Sequence, residues 1–321
     1  MKKALFIPLG FYDYDRKIEH EIKKNGFAVS VFNPIGKYSF FEKVINTLSK
    51  GKYLANKAYK RQEKFFSSQP DDYDVIFVIV GRFLEPKIFS EFCFRNRSAR
   101  KVLYLWDDVG RVENFDDMKD CFDDIYSFDN KDVEKYNFKM LPLFYTEFHV
   151  YNNEKKTHLF SLMGLLHSER IKIFDQIVKQ CNLTQENCFV YLLGAKLKDF
   201  LTWVNPKRSA WTGKKYIHIK GMPFEKCAEI MKESKVALDV QFGSQNGLTL
   251  RTFETLASHT KLITTNKNVM QYDFYNPNNI YIIDRDHPIV DKQFFDSEYE
   301  VVNQDIVEQY SLENWIKKMI G

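Results

Sequence analysis

Short apolar runs recur along this chain, each parted from the next by a stretch of helical periodicity or polar character. In the first half they are Ala4 to Leu9, Ala28 to Phe32, Val75 to Val80, Val102 to Trp106 and Ile125 to Phe128, with helical segments over Arg16 to Asn25 and Pro86 to Phe94. Strands alternating with helices pair in parallel through right-handed crossovers, so the pattern predicts a doubly wound α/β layer. After a polar run around Tyr151 to Lys156 the pattern restarts, with a strand His158 to Met163, a helix Ser168 to Gln180 and a strand Cys188 to Leu193. A chain of 321 residues has room for two such layers. The expected domains are therefore residues 1–151 and 152–321. The last residues read as a helix capped by Ser311, with Leu312, Trp315, Ile316 and Met319 on one face.

Composition removes several classes of protein. Hydrophobic residues make up 44% and charged residues 28%, which excludes disorder, a collagen-like chain and a disulfide scaffold. The five cysteines, Cys93, Cys121, Cys181, Cys188 and Cys227, contain no CxxC pair and no His spacing suited to zinc, so reduced structural thiols and a cytoplasmic setting are expected. The apolar run after Met1 is too short for a signal peptide, and no stretch approaches the roughly eighteen apolar residues of a membrane span. A net charge of +4 gives no case for nucleic acid. The basic, aromatic-laced segment Lys43 to Lys64 carries seven Lys or Arg and one acidic residue. It reads either as an anionic membrane surface contact, peripheral on the inner face of a membrane, or as a solvated helix face.

The most informative local pattern lies between Val236 and Asn266: strand, Gly-containing loop, helix, strand. A loop at the carboxyl end of a strand leading into a helix N-terminus presents backbone N–H groups to a phosphate, which makes Asn246, Gly247, Leu248, Thr249 and Arg251 candidates for binding a nucleotide phosphate. On a helical wheel Leu250, Phe253, Leu256 and Ala257 form a stripe that buries against the sheet, and Glu254 falls on its edge. Glu254 either accepts hydrogen bonds from a ribose cis-diol or pairs with Arg251 on the surface.

This order of elements resembles the donor-binding half of GT-B glycosyltransferases, and within them the CgeB-like and group 1 families, over residues 158 to 266. The segment from Gly221 to Val240 is similar to the strand, loop and helix that precede the motif there. The resemblance implies two Rossmann-like domains facing across a cleft, the first binding the acceptor and the second a nucleotide-diphosphate sugar. It implies the ribose role for Glu254, and it places Lys196 at the cleft rim, where it is either a further diphosphate candidate or an ordinary exposed lysine before a helix. Retaining members carry a second Glu eight residues earlier. This chain has Asn246 there, so the stereochemistry stays open and Asn246 offers an amide donor to a phosphate or sugar hydroxyl.

In the first half, TyrLeuTrpAspAsp ends on Asp107 and Asp108, carboxylates at the carboxyl end of a strand that suit acceptor hydroxyls or a base, or else cap a turn. Asp13 and His20, after the Gly10 turn, are weaker base candidates. Three AspXAsp matches, Asp13/Asp15, Asp72/Asp74 and Asp284/Asp286, read as structural, so neither an essential metal nor a cofactor is expected. Asp129 reads as a helix cap, and Arg170, near His167, as a surface residue or a phosphate ligand. The function these readings imply is metal-independent sugar transfer from a nucleotide-sugar to a glycan or lipid-linked acceptor, as in bacterial surface polysaccharide or lipopolysaccharide synthesis. The alternatives are an epimerase or hydrolase acting on the donor alone, and a noncatalytic nucleotide-binding scaffold.

Overall fold

The computed structural model describes residues 1–10, 13–34, 39–49, 52–112, 114–166, 168–194, 211, 215–241 and 246–321. Lys196, His167 and the loop residues 242–245 lie outside it, as do Lys50 and the side chain of Lys43 in the basic segment. The chain divides into two units, Met1–Pro142 with Glu313–Gly321, and Leu143–Leu312.

Unit 1 is a parallel six-stranded sheet. Its strands are β1 (Lys2–Ile7), β2 (Phe27–Val31), β3 (Val75–Ile79), β4 (Arg100–Leu105), β5 (Asp124–Ser127) and β6 (Lys139–Met140), in the order β2-β1-β3-β4-β5-β6. The crossovers carry helices α1 (Tyr14–Lys24), α2 (Phe40–Leu48), α3 (Lys52–Ser68), α4 (Pro86–Arg95), α5 (Phe115–Met118) and α6 (Asn130–Tyr136). β3 is buried at every residue, as a central parallel strand must be when both faces are covered. Asp74 fixes its entry by accepting a 2.7 Å hydrogen bond from the Lys3 amide, and Asp72 pairs with the Lys3 ammonium, so this AspXAsp pair ties β1 to β3. Asp129 caps α6 by accepting from the Lys131 amide at 2.9 Å.

Unit 2 repeats the plan. Strands β7 (His158–Leu165), β8 (Cys188–Leu193), β9 (Ile217–His218), β10 (Ser234–Asp239), β11 (Lys261–Thr264) and β12 (Ile280–Ile282) are all parallel, in the order β12-β11-β10-β7-β8-β9. Helices α7 (Ser168–Gln180), α8 (Phe224–Glu233), α9 (Leu250–Ala257), α10 (Gln293–Asp296) and α11 (Gln304–Glu308) connect or flank them. Phe160, Phe174 and Trp211 anchor its core, with Phe160 and Phe174 stacked at 4.4 Å. The unit begins at Leu143, ahead of the polar run near residue 152, because residues 145–151 are tied into it. The Tyr145 amide donates to the Tyr310 carbonyl at 2.9 Å, Ser258 Oγ to the His149 carbonyl at 2.9 Å, and the Tyr151 amide to the Ala257 carbonyl at 2.9 Å.

The final helix α12 (Leu312–Ile320) crosses the division, with Glu313 onward in unit 1. Its amphipathic stripe is real: Leu312, Trp315, Ile316 and Met319 are all buried. Within unit 1 the Trp315 ring lies edge-on to Tyr104 at 4.7 Å and tilted against Phe77 at 5.8 Å.

Candidate active site

The carboxyl ends of β7 and β10 in unit 2 gather a set of ionic side chains. β10 delivers Asp239, which is 5% exposed, and burial pushes its carboxyl above the usual carboxylate range against the pull of the nearby Arg170 guanidinium. Thr249 occupies the N-cap of α9 in an extended conformation, yet its hydroxyl donates to Asp239 Oδ2 at 2.8 Å instead of accepting from its own helix. The cap is therefore spent on β10, and the N-terminal turn of α9 carries no side-chain cap from Thr249. Leu248 is buried beneath the loop, and Asn266 Nδ2 donates to the Asn246 and Gly247 carbonyls at 3.1 Å each, with Asn268 Nδ2 on Asn246 at 2.9 Å. These amides fix the backbone on which Asn246 and Gly247 ride into the helix.

Glu254 is 6% exposed. Arg251 NH1 meets its Oε2 at 2.8 Å, and Arg251 NH2 donates to the Met163 carbonyl at 3.4 Å. The Arg251 pairing weighed from the sequence thus exists, but inside the unit and not on its surface. Nor is Glu254 on the edge of a stripe: Thr252, Phe253, Thr255, Leu256 and Ala257 are buried with it, so α9 is covered on nearly all sides. Part of the cover is the segment 145–151. His149 is 2% exposed, its Nε2 lies 3.5 Å from Glu254 Oε1, and its Nδ1 sits 3.1 Å from the Thr146 hydroxyl. Desolvation holds the His149 pKa below the usual histidine range, so the ring is neutral at pH 7.

Arg170, three residues into α7, donates from Nε and NH2 to the Val240 carbonyl at 3.1 and 3.0 Å and from NH1 to the Leu165 carbonyl at 3.2 Å. Arg285 donates to the Gln241 carbonyl at 2.7 Å, and Arg170 feels the positive charge of both Arg251 and Arg285. Three guanidinium groups therefore lie near the end of β10, each anchored on a backbone carbonyl. Each also has a carboxylate beside it, Glu254 for Arg251, Glu169 for Arg285 and Asp239 for Arg170, so the charges at this helix N-terminus are largely matched within the unit. Among the described residues no group of His, Cys, Asp and Glu is placed to hold a metal ion.

In unit 1, Asp107 and Asp108 follow β4. Arg82 NH2 meets Asp107 Oδ2 at 2.8 Å, and Arg111 Nε meets Asp108 Oδ2 at 3.0 Å while its NH1 lies 3.7 Å from Asp107. Both carboxylates are thus engaged by guanidinium groups, and Asp108 does not cap the turn with its side chain. Asp13 occupies the N-cap position of α1 without a side-chain cap bond, 46% exposed and 3.9 Å from Arg16. Asp284 accepts from the Asp286 and His287 amides at 2.9 Å, a turn.

The sequence reading did not single out the neighbourhood of Arg82. Val80 has φ 63° and Gly81 φ 70° at the end of β3. A β-branched residue in the left-handed region is a strained backbone, which persists only where surrounding structure imposes it and which gathers at functional edges. Beside it the Arg82 Nε and the Asn114 Oδ1 are buried with no hydrogen-bond partner among the described residues. In unit 2, Asp239, His149 and Arg285 were also missed. Asp239 hides inside an apolar run, and His149 stands in a segment with no periodicity.

No family model and no curated protein matches the chain. Among solved structures, HepE from Anabaena in complex with UDP-glucose aligns over 99% of this chain and 98% of its own, at 9% identity and a TM-score of 0.59. The UDP-GlcNAc 2-epimerase of Neisseria meningitidis bound to UDP-GlcNAc aligns over 100% and 98%, at 10% identity and 0.51. Sucrose-phosphate synthase from Thermosynechococcus elongatus aligns over 100% and 94%, at 10% identity and 0.50. At such identities the likeness is one of fold, and the fold is the GT-B type.

Proposed function

We propose that the protein is a glycosyltransferase that takes a sugar from a nucleotide-diphosphate donor bound in unit 2. The observation that carries this reading is the buried Glu254 carboxylate, one turn into a helix whose own N-cap is turned away to Asp239, in the company of Arg251 and Arg170. Glu254 holds Arg251 through Oε2 and faces His149 through Oε1, and in this reading the same carboxylate accepts from the ribose diol when the donor binds. The diphosphate lies against the loop Asn246, Gly247, Leu248 and Thr249 at the start of α9, where helix N–H groups and guanidinium charge meet the negative charge that grows on the leaving group as the bond from the sugar C1 breaks. No metal is required in this scheme. Two of the neighbours named above, HepE and the Neisseria meningitidis epimerase, were solved with UDP-glucose and UDP-GlcNAc, which makes UDP the first probe. Within that fold, the strand, loop and helix order resembles that of the CgeB-like and group 1 transferases, and this reading takes the chain for one of that kind.

Asp107 and Asp108, with Asp13 as the third candidate, orient the acceptor hydroxyl in unit 1, and a glycan or lipid-linked acceptor of the kind used in bacterial surface polysaccharide synthesis fits a chain with no nucleic-acid character. A thermal-shift panel of UDP, GDP, CMP and dTDP with their sugars tests the donor half. One nucleotide is expected to stabilise the wild type, by about 2.7 kcal/mol at a hundred times its Kd, and Glu254→Ala to lose most of that. A flat panel refutes the reading. Because an epimerase shares the fold, the turnover assay is run with and without acceptor. Conversion of the sugar without an acceptor assigns the chain to the epimerase alternative.

A further inference from the structure

Outside the site described above, the least expected surface is on α2. This helix carries a complete capping box: Ser39 Oγ accepts from the Glu42 amide at 3.3 Å, and Glu42 Oε2 from the Ser39 amide at 2.7 Å. Its register is therefore set by its own N-terminus. In that register Phe41, Ile45 and Leu48 fall within an arc of about 60° and form one stripe. That stripe points outward. Phe41 is 77% exposed, Ile45 44% and Leu48 80%. A stripe of this kind normally faces a core, and an exposed one marks a surface that something apolar covers.

The neighbouring helix identifies the partner's charge. Residues 54, 58, 61, 62, 65 and 66 are the sheltered side of α3, with Gln62 and Phe66 fully buried. Tyr53, Lys57, Lys60 and Lys64 form a separate stripe, again within about 60°. Lys57 pairs with Glu42, so this basic stripe is the edge of α3 beside α2. Tyr53, Lys60 and Lys64 are exposed along it. The surface is thus an apolar ridge with a row of ammonium groups and a tyrosine at its flank. A second copy of the same patch would set lysine against lysine, which disfavours self-association. An interface of anionic headgroups over acyl chains satisfies both halves.

We propose that the outer face of α2 and the adjoining edge of α3 dock on an anionic lipid surface, with Phe41, Ile45 and Leu48 entering the boundary between headgroups and chains and Lys60 and Lys64 meeting lipid phosphates. The proposed attachment is peripheral; no described helix is long and apolar enough to cross a membrane. It is independent of the donor site, so each proposal can fail alone. The test is flotation of the full-length protein with vesicles of phosphatidylcholine containing about 30 mol% phosphatidylglycerol, and with phosphatidylcholine alone. The wild type is expected to float only with the anionic vesicles and to release in about 0.5 M salt. Phe41→Ser/Leu48→Ser and, separately, Lys60→Glu/Lys64→Glu are each expected to cut the bound fraction by at least about tenfold with an unchanged melting temperature and unchanged nucleotide binding. A wild type that stays with neither vesicle, or variants that float as well as it does, overturns the proposal. So does a concentration-dependent dimer in sedimentation velocity that the Phe41→Ser/Leu48→Ser variant loses, because the ridge is then a self-association face.

Discussion

Replacing Gly164 by alanine perturbs the site through a residue that carries no chemistry. Gly164 sits in β7 with φ 150°, a conformation that side chains rarely adopt, and a Cβ built there would stand 2.7 Å from Arg170 NH1. Imposing that backbone on alanine costs about 1–3 kcal/mol. The guanidinium cannot retreat without loosening its bonds to the Val240 and Leu165 carbonyls, a set worth about 1.5–3 kcal/mol. Reduced freedom of the unfolded chain returns about 0.4–1 kcal/mol. The net expectation is a loss of about 2–5 kcal/mol, read as a shift of the urea midpoint at constant slope by far-UV circular dichroism. Arg170→Met alone should cost about 1.5–3 kcal/mol, and the double variant less than the sum, because a methionine leaves room for the new methyl group. A Gly164→Ala effect below about 0.5 kcal/mol, or additivity within about 0.5 kcal/mol, would refute the coupling argued here.

Trp315→Ala should destabilise unit 1 by about 3–5 kcal/mol, since Trp315 is 1% exposed against Tyr104 and Phe77; a cost under about 1 kcal/mol by the same denaturation assay would mean that α12 merely rests on the sheet. His149, held neutral by burial, has a folded pKa below its unfolded value, so the unfolded state binds the extra proton first and stability falls as pH drops through about 6.5, by at most about 1.4 kcal/mol per pH unit. His149→Asn should flatten that slope between pH 7 and 5, and an unaltered slope would exclude His149 as its source. The Cys121 thiol, brought down to about 7 by hydrogen bonding from Cys93, should be alkylated by iodoacetamide at neutral pH ahead of Cys93, whose thiol is pushed up by that same contact and by burial. Peptide mass spectrometry over a time course decides it, and equal rates would contradict the assignment.

The two sheets were legible because parallel strands covered on both faces must be continuous apolar runs, and every such run noted in the sequence is a strand within a residue or two of its expected ends. The environment of α9 was not legible. A helical wheel finds the stripe that meets the sheet, Leu250, Phe253, Leu256 and Ala257, but says nothing of a second cover. That cover comes from residues 145–151, about a hundred positions away in sequence, through the bonds of Ser258 and Tyr151 and the approach of His149 to Glu254. Arg82 was missed for a related reason: its interest arises from the left-handed Val80 and Gly81 before it, a conformation that no propensity rule assigns to valine. Asp107 and Asp108 were found as residues, but their arginine partners were not, since Arg82 pairs across strands and only Arg111 is near in sequence.

The most direct measurement compares calorimetric binding of UDP, or whichever diphosphate the panel selects, with that of its 2′,3′-dideoxy analogue, for the wild type and for Glu254→Gln. If the buried carboxylate grips the ribose, removing both hydroxyls weakens binding to the wild type by about 2–4 kcal/mol, and the variant discriminates between the two ligands by less than about 1 kcal/mol. Equal discrimination in the two proteins would show that the diol is read elsewhere, and would leave Glu254 as the buried anchor of Arg251 alone.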